Sequence, residues 1–196
     1  MDRVRGKTNF VKSIENSIAV KQRILQDKAF LAMLNTVGTA MVDALKKGHR
    51  LFFMGNGGSA ADAQHLTAEF TGRYLRERTP LAAIALSVNT SSLTAIGNDY
   101  GFDMVFARQV QALGTEGDVA VGLSTSGNSR NVLRAMEAAK AKGMITVGLS
   151  GESGGLLRDC VDYCLCAPSG ETPRIQEAHI LIGHVLCEIV EDELFG

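Results

Sequence analysis

Residues 52–70 of the sequence, FFMGNGGSAADAQHLTAEF, contain two acid/base side chains one helical turn apart. His65 and Glu69 occupy positions i and i+4, which places both on one face if the segment is helical. A histidine and a carboxylate on one helical face can be two ligands of a divalent metal, or an acid and a base within reach of one substrate. A surface His–Glu pair has the same spacing, so this segment alone leaves the alternatives open.

The last part of the chain adds further candidates, Gln176, His179 and His184. Residues 172–194 carry apolar side chains at helical spacing, which predicts a closing helix with Pro173 in its first turn. His65 and Glu69 lie beyond the first turn of their own helix, so they need a closely packed partner to build a site. We interpret His179 as a surface or packing residue. Two acidic residues of the same helix are expected on a solvated face or at a subunit contact, namely Glu188 and Glu191.

Two turns of small residues, in MGNGGSAAD and GLSTSGNSRN, each follow an apolar run and lead into a predicted helix. Backbone N–H groups at a helix start, together with small hydroxyls, favour a bound anion. Two such turns in one chain therefore indicate a phosphorylated ligand, although Ser59 and Ser129 would also suit ordinary helix N-caps. Gly55, Gly57 and Ala60 match a dinucleotide-binding pattern, but the next strand does not end in the acidic residue that this pattern requires, so no nucleotide is expected.

Composition limits the classes of protein. A chain of 196 residues with 45% hydrophobic content can bury one core, and its net charge of −1 comes from acidic and basic residues spread without a basic block. Nucleic acid is therefore a weak candidate. No apolar run approaches membrane-spanning length and residues 1–10 lack the apolar core of a signal peptide, so a cytoplasmic protein is expected. Its cysteines are expected to be reduced thiols: Cys160, Cys164, Cys166 and Cys187.

The elements that must position these side chains alternate along the chain. Residues 10–47 show helical spacing of apolar positions, and five short apolar runs follow at 50–55, 81–86, 118–124, 144–150 and 163–167. Amphipathic segments separate most of these runs, which predicts parallel strands with helices on both faces. We expect a single domain, in which N-terminal helices at residues 1–48 extend an α/β unit at residues 49–196. The N-terminal helices have more apolar positions than a small sheet domain needs, so we expect them to pack between subunits of a homotetramer.

Four motifs in order, GNGGSAADAQH, TAIGNDYGF, STSGNS and RIQEAHILIGH, resemble the sugar isomerase (SIS) domain family over nearly the whole chain. The resemblance is to the branch that isomerises sedoheptulose 7-phosphate. It implies a three-layer α/β/α sandwich with a five-stranded parallel sheet in flavodoxin-like winding, and a homotetramer. It also implies formation of D-glycero-D-manno-heptose 7-phosphate, the first step toward nucleotide-activated heptose for lipopolysaccharide or other surface glycans.

The resemblance also implies roles for single residues. Glu69 and His184 correspond to its acid/base pair. A Zn²⁺ ion would be bound by four residues: His65, Glu69, Gln176 and His184. The phosphosugar would be contacted by Asn56, Gly57, Gly58, Asn98, Asp99, Ser124, Thr125, Ser126, Ser129 and Gln176.

Ketose-to-aldose conversion moves a hydrogen from C1 to C2, most simply through an enediol. Glu69 is the expected base, and His184 would move protons at the oxygens, since a histidine titrates near neutral pH. A zinc-bound carboxylate is a poorer base, and the sequence leaves open whether Glu69 exchanges between metal and substrate. Arg73 would reach either a sugar hydroxyl or a neighbouring subunit.

Two rivals from other classes share the fold. The replication-initiator-associating protein is a non-catalytic binding protein that lacks the acidic residue and the last histidine at the positions of Glu69 and His184, both of which this chain has. A sugar-phosphate-sensing regulatory domain is the other rival, and a full acid/base set argues against it as well.

Overall fold

The computed structural model describes residues 10–196, and it begins with two long helices. Helix α1 spans Phe10–Gln26 and helix α2 spans Lys28–Lys46, as the spacing of apolar residues predicts. Asp27 separates them, because its carboxylate accepts a hydrogen bond from the Phe30 N–H at 3.0 Å and so caps α2. The expectation about a signal peptide in residues 1–10 falls almost entirely outside the described residues.

Five parallel strands form one sheet and confirm the predicted fold class. The strands are β1 (Leu51–Gly55), β2 (Ala83–Ala85), β3 (Val119–Leu123), β4 (Ile145–Ser150) and β5 (Tyr163–Cys166), in the spatial order β2-β1-β3-β4-β5. This is the flavodoxin-like order. The chain reverses its direction of winding between β1 and β3, and ligands of such folds bind outside the carboxyl ends of the strands at that switch point. Both turns of small residues lie there, one directly after β1 and the other directly after β3.

Helices cover both faces of the sheet. They are α3 (Gly58–Thr71), α4 (Thr90–Tyr100), α5 (Ala107–Leu113), α6 (Arg130–Ala141), α7 (Leu157–Cys160) and α8 (Thr172–Phe195), with a short 3₁₀ helix at Phe102–Met104. Successive residues of β1 alternate between two apolar clusters: Leu51 and Phe53 pack with α2, α3 and α8, whereas Phe52 and Met54 pack with α5 and α6. Burial on both faces explains why the strands are continuous apolar runs.

Helices α3 and α8 approach each other closely at a glycine. A Cβ atom placed on Gly183 would lie 2.5 Å from Cδ2 of Leu66, so any larger residue here would force the Leu66 side chain to move. His184 follows Gly183 on α8, and His65 precedes Leu66 on α3. The contact between Gly183 and Leu66 therefore brings the two histidines together. Among residues 10–196, no helix is both long enough and apolar enough to cross a membrane.

Candidate active site

Three acid/base side chains meet between α3 and α8. Nε2 of His65 lies 2.9 Å from Nε2 of His184 and 3.3 Å from Oε1 of Glu69. The two histidine rings are in edge contact, with their centroids 5.1 Å apart. Helix α8 is therefore the closely packed partner that His65 and Glu69 require. His184 forms one acid/base cluster with these two residues.

Gln176 of α8 lies against the turn after β1. Its side-chain amide lies against the first residue of α3, because a Cβ atom on Gly58 would be 2.6 Å from Cδ of Gln176. The amide thus occupies the space that any side chain at position 58 would need. Because residue 58 is a glycine, the Gln176 amide can lie directly against the first turn of α3.

Asp62 and Tyr74 complete the surroundings, and the sequence interpretation missed both. Oδ2 of Asp62 is buried and has no hydrogen-bond partner among residues 10–196. Burial raises the pKa of this carboxyl, while nearby His65, Gln176 and His184 oppose the shift. Tyr74 stacks on the ring of His184 at a centroid distance of 5.4 Å. Asp62 could have been found from the sequence, because it precedes His65 by three residues on the same helix. Tyr74 lies beyond the end of α3 and shows no such spacing.

The two turns of small residues are joined by a reciprocal amide pair. Nδ2 of Asn56 donates to Oδ1 of Asn131 at 2.9 Å, and Nδ2 of Asn131 donates to Oδ1 of Asn56 at 2.8 Å. Asn56 follows β1 and Asn131 lies in the first turn of α6, so the pair fixes the spacing of the two turns. Asn131 is buried and was not identified from the sequence.

Neither candidate N-cap serine caps its helix through its side chain. Gly57, with a φ of 54°, precedes α3, and Ser59 lies inside the first helical turn. Ser129 occupies the N-cap position of α6, but its hydroxyl lies 2.9 Å from the hydroxyl of Ser124 instead. Ser126 is exposed, and its Oγ accepts a hydrogen bond from the Asn128 N–H at 3.2 Å. The turn after β3 therefore gathers three serine hydroxyls beside a helix start, a setting that suits a phosphate.

Other sequence candidates lie apart from this cluster. Asn98 and Asp99 are exposed at the end of α4, where the Asn98 amide donates to the Asp99 carboxylate at 2.8 Å. In the part of the chain that the structure describes, no side-chain hydrogen bond joins either residue to the two turns. Arg73 is exposed and lies 3.7 Å from Glu77.

Two residues of α8 are packed inside the protein. His179 is buried and its Nε2 lies 3.1 Å from the Ser150 carbonyl oxygen, which supports a packing role; burial lowers its pKa to about 4. The expectation that Glu191 is solvated or at a subunit contact is wrong. Its carboxylate is buried, pairs with Arg78 at 2.9 Å, and accepts hydrogen bonds from three backbone N–H groups at residues 74–76.

The donor types of the cluster fit a zinc ion. Two imidazole nitrogens bound to one tetrahedral zinc ion lie about 3.3 Å apart, near the observed 2.9 Å between His65 and His184. The Glu69 carboxylate lies 3.3 Å from Nε2 of His65 and supplies a further donor. Within residues 10–196, however, no group of three or more His, Cys, Asp or Glu side chains is already arranged around one metal position. The zinc assignment therefore stays a prediction.

Comparison with known proteins gives a consistent result. Residues 14–151 match the SIS domain family. Phosphoheptose isomerase 2 of Campylobacter jejuni is 54% identical over 181 residues, covering 92% of this chain and 90% of that protein. The phosphoheptose isomerase of Roseiflexus is 55% identical over 185 residues, covering 94% and 93%.

Solved structures agree with this. The phosphoheptose isomerase of Neisseria gonorrhoeae superposes with a TM-score of 0.87 at 44% identity, covering 93% of this chain and 97% of that chain. The phosphoheptose isomerase of Francisella tularensis superposes with a TM-score of 0.88 at 38% identity, covering 93% of this chain and 96% of that chain. The similarity in sequence and in fold covers more than nine-tenths of the chain in these relatives. The chain therefore belongs to the SIS domain family, among its phosphoheptose isomerases.

Proposed function

We propose that this protein isomerises sedoheptulose 7-phosphate to D-glycero-D-manno-heptose 7-phosphate through an enediol. The observation that carries the proposal is the convergence of Glu69 and His184 on His65, on a helix that begins at the first of two paired turns suited to a phosphosugar. The names of the relatives, phosphoheptose isomerases over more than nine-tenths of this chain, support the same reaction.

Glu69 is the proposed base for the carbon-bound proton. It lies in the last turn of α3 and its side chain is only 20% exposed, so that it is partly shielded from water while facing His65. The carboxylate takes the proton from C1 of the ketose and returns it to C2 of the enediol, which converts the ketose to the aldose without net loss of a proton.

His184 is the proposed proton carrier at the substrate oxygens. The stacked ring of Tyr74 and the edge contact with His65 restrict the orientation of its imidazole. A neutral imidazole that donates to one oxygen can accept from the other, and such a group serves both O1 and O2 of an enediol.

The turn after β3 is the proposed phosphate site. Ser124, Ser126 and Ser129 supply hydroxyls, and α6 adds the N-terminal end of its dipole. The turn after β1 would then hold the sugar near its reacting end, since it begins the helix that carries Glu69. Asn98 and Asp99 stay proposed sugar contacts on the strength of the resemblance alone.

His65, Glu69, Gln176 and His184 are the proposed zinc ligands. When bound, zinc would polarise the substrate carbonyl and stabilise negative charge on its oxygen. Elemental analysis of purified protein should find roughly one ion per chain or per shared site, and His65→Ala should reduce that content. Protein that contains no divalent metal and retains full activity after chelation would leave these residues as acid/base and binding groups only.

A homotetramer in the cytoplasm is the proposed working form. Apolar side chains exposed on α1 support an assembly, and no membrane helix occurs among the described residues.

The proposed function is tested by a coupled assay of sedoheptulose 7-phosphate turnover with Glu69→Gln. This variant keeps the shape of the side chain and removes the base, so kcat should fall by roughly two or more orders of magnitude. Glu77→Gln is the matched control, because Glu77 is the same residue type on an exposed position after α3. Its kcat should equal that of the wild type.

Two results would contradict this scheme. Near-normal turnover by Glu69→Gln would remove Glu69 from the mechanism. Wild-type protein that binds the phosphosugar and never converts it would instead support the non-catalytic, replication-initiator-associating class.

A further inference from the structure

The turn after β3 packs against a second loop, residues 151–156, which joins β4 to α7. Backbone hydrogen bonds connect both ends of this loop to the turn. The Gly151 N–H donates to the Thr125 carbonyl oxygen at 3.1 Å, and the N–H of Leu157, directly after the loop, donates to the Gly127 carbonyl oxygen at 2.9 Å. The 151–156 loop therefore supports the turn that is the proposed phosphate site.

Glycines make this contact unusually close. A Cβ atom on Gly155 would lie 2.6 Å from the Ser126 carbonyl oxygen, and one on Gly127 would lie 2.6 Å from the carbonyl carbon of Gly154. Gly127 and Gly155 also have φ angles of 66° and 55°, in the left-handed region that other residues rarely adopt. The turn and the loop are thus in direct backbone contact, so a displacement of the loop would move the turn as well.

Asn128 is the polar residue of the STSGNS motif to which the proposed function gives no role, and its side chain crosslinks the turn and the loop. Its Nδ2 donates to the Ser126 carbonyl oxygen at 3.0 Å, and its Oδ1 accepts from the Leu156 N–H at 3.1 Å. The reversed amide would oppose oxygen to oxygen and N–H to N–H, so these partners fix its orientation. Both polar atoms of the amide therefore serve the backbone.

We propose that Asn128 is the positioning residue of the phosphate site, because its amide holds the turn after β3 against the 151–156 loop before any anion binds. This inference rests on the proposed function, which identifies the turn as the phosphate site. Ser126 depends on this support most, because it is exposed, whereas Ser124 is buried and hydrogen-bonded to Ser129. A turn that is ordered in advance loses less conformational entropy on binding, and its affinity for phosphate is higher for that reason.

The test measures the dissociation constant of inorganic phosphate by calorimetry, together with KM and kcat for sedoheptulose 7-phosphate. Asn128→Ala should raise the dissociation constant and KM by roughly 5- to 50-fold, because two neutral hydrogen bonds that order the turn are lost, and should leave kcat within about twofold. Asn89→Ala is the matched control. Asn89 is also exposed and its Oδ1 accepts a backbone N–H, that of Ser92 at 3.0 Å, but it caps α4. This control should lose stability and bind phosphate like the wild type.

A double-mutant cycle separates positioning from general destabilisation. Gly155→Ala acts on the same contact from the side of the loop, since its Cβ would meet the Ser126 carbonyl oxygen. Each single variant should weaken phosphate binding, and the two effects should combine less than additively in free energy, because either change already releases the turn.

Two results would overturn the positioning role. The first is Asn128→Ala with the phosphate affinity of the wild type, whatever its stability, and the second is full additivity in the cycle. Wild-type protein that binds phosphate but never converts the sugar would contradict the proposed isomerase alone. The phosphate titrations of the variants would then still decide the role of Asn128.

Discussion

At the scale of single residues, the phosphate-binding role proposed for the turn after β3 depends on hydroxyls that already contact one another or the backbone. Ser124 is buried and its hydroxyl is hydrogen-bonded to that of Ser129, whereas Ser126 is exposed and its hydroxyl accepts from the backbone N–H of Asn128. A phosphate arriving at this turn would replace a weak neutral contact by charge-assisted hydrogen bonds, which are stronger.

We expect Ser124→Ala combined with Ser126→Ala to raise KM for the phosphosugar strongly and to leave kcat nearly unchanged. Loss of two charge-assisted hydrogen bonds weakens binding by about 2–4 kcal/mol, which is roughly 30- to 1000-fold. Steady-state kinetics and competition by inorganic phosphate measure this, with Ser13→Ala on α1 as a control that touches neither turn. A variant with lower kcat and an unchanged KM would place the reacting end of the sugar at this turn instead.

The sequence predicted single residues well where spacing along one helix decides their position. His65 and Glu69 share a face of α3 because they are four residues apart, whereas the role expected of His184 on α8 came from the resemblance to the SIS domain family. Glu191 was misjudged, because the three N–H groups and the Arg78 side chain that hold it lie 113 to 117 positions away in the chain. No local pattern encodes such partners.

At the scale of elements, the contact between α3 and α8 sets the distance between the two histidines. Gly183 provides that contact by accepting Leu66 where a side chain would stand. The active-site geometry therefore depends on a residue that has no functional group of its own.

We expect Gly183→Ala to lower the free energy of unfolding by about 1–3 kcal/mol, since the added methyl overpacks a buried contact, and to reduce kcat by shifting His184 away from His65. Chemical denaturation and the coupled assay measure the two effects. Gly97→Ala is the matched control for stability, because a Cβ atom there meets Val105 Cγ1 at an ordinary 3.7 Å within helix α4. It should be neutral or stabilising. Equal stability of both variants would show that the helices can separate freely.

The end of α3 is fixed to α8 by a buried ion pair. Arg78 donates to the carbonyl oxygens of Glu69 and Phe70 at 2.7 and 2.8 Å, and its Nε donates to Glu191 on α8. Arg78 thus closes the last turn of the helix that carries the proposed base, while Glu191 holds Arg78 and the backbone that follows α3.

We expect Glu191→Gln to destabilise the protein by about 2–4 kcal/mol at neutral pH. Burial opposes ionisation of Glu191, but its backbone hydrogen bonds and Arg78 prevail and lower its pKa. The stabilisation is therefore present above the ordinary glutamate pKa of about 4.3 and is lost as the pH falls through the lower folded value. Denaturation curves at several pH values should show the gap between wild type and variant closing in acid. Asp192→Asn, at an exposed ion pair with Arg76, should cost less than about 1 kcal/mol.

At the scale of the whole molecule, the order of elements was predictable because the inner strands β1, β3 and β4 are buried on both faces, and the edge strands β2 and β5 are partly buried. Such strands appear as uninterrupted apolar runs, and all five predicted runs contain the observed strands. The pairing of Asn56 with Asn131 and the stacking of Tyr74 on His184 were not predictable, because they depend on how the finished elements pack.

Helix α1 leaves an apolar stripe uncovered in the single chain. Val11, Ile14, Ile18 and Leu25 are 50%, 58%, 50% and 72% exposed, and their spacing of three, four and seven residues places them along one line of the helix. The opposite side of α1 buries Val20 and Ile24 against the rest of the chain. An amphipathic helix that packs on its own chain with one face and exposes a second apolar face is typical of a subunit contact.

We expect the proposed homotetramer to dissociate when this stripe receives positive charges, as in Ile14→Lys combined with Ile18→Lys. Burying two unpaired ammonium groups at an interface costs several kcal/mol, whereas the single chain leaves both positions in water. Light scattering at micromolar concentration should give a tetramer for the wild type and a smaller species for the variant, with unchanged helix content by circular dichroism. Ala19→Lys is the matched control, because Ala19 is exposed on α1 away from the stripe, and it should remain tetrameric. A wild-type monomer under these conditions would rule out the assembly, and a double variant that stays tetrameric would move the contact to another surface.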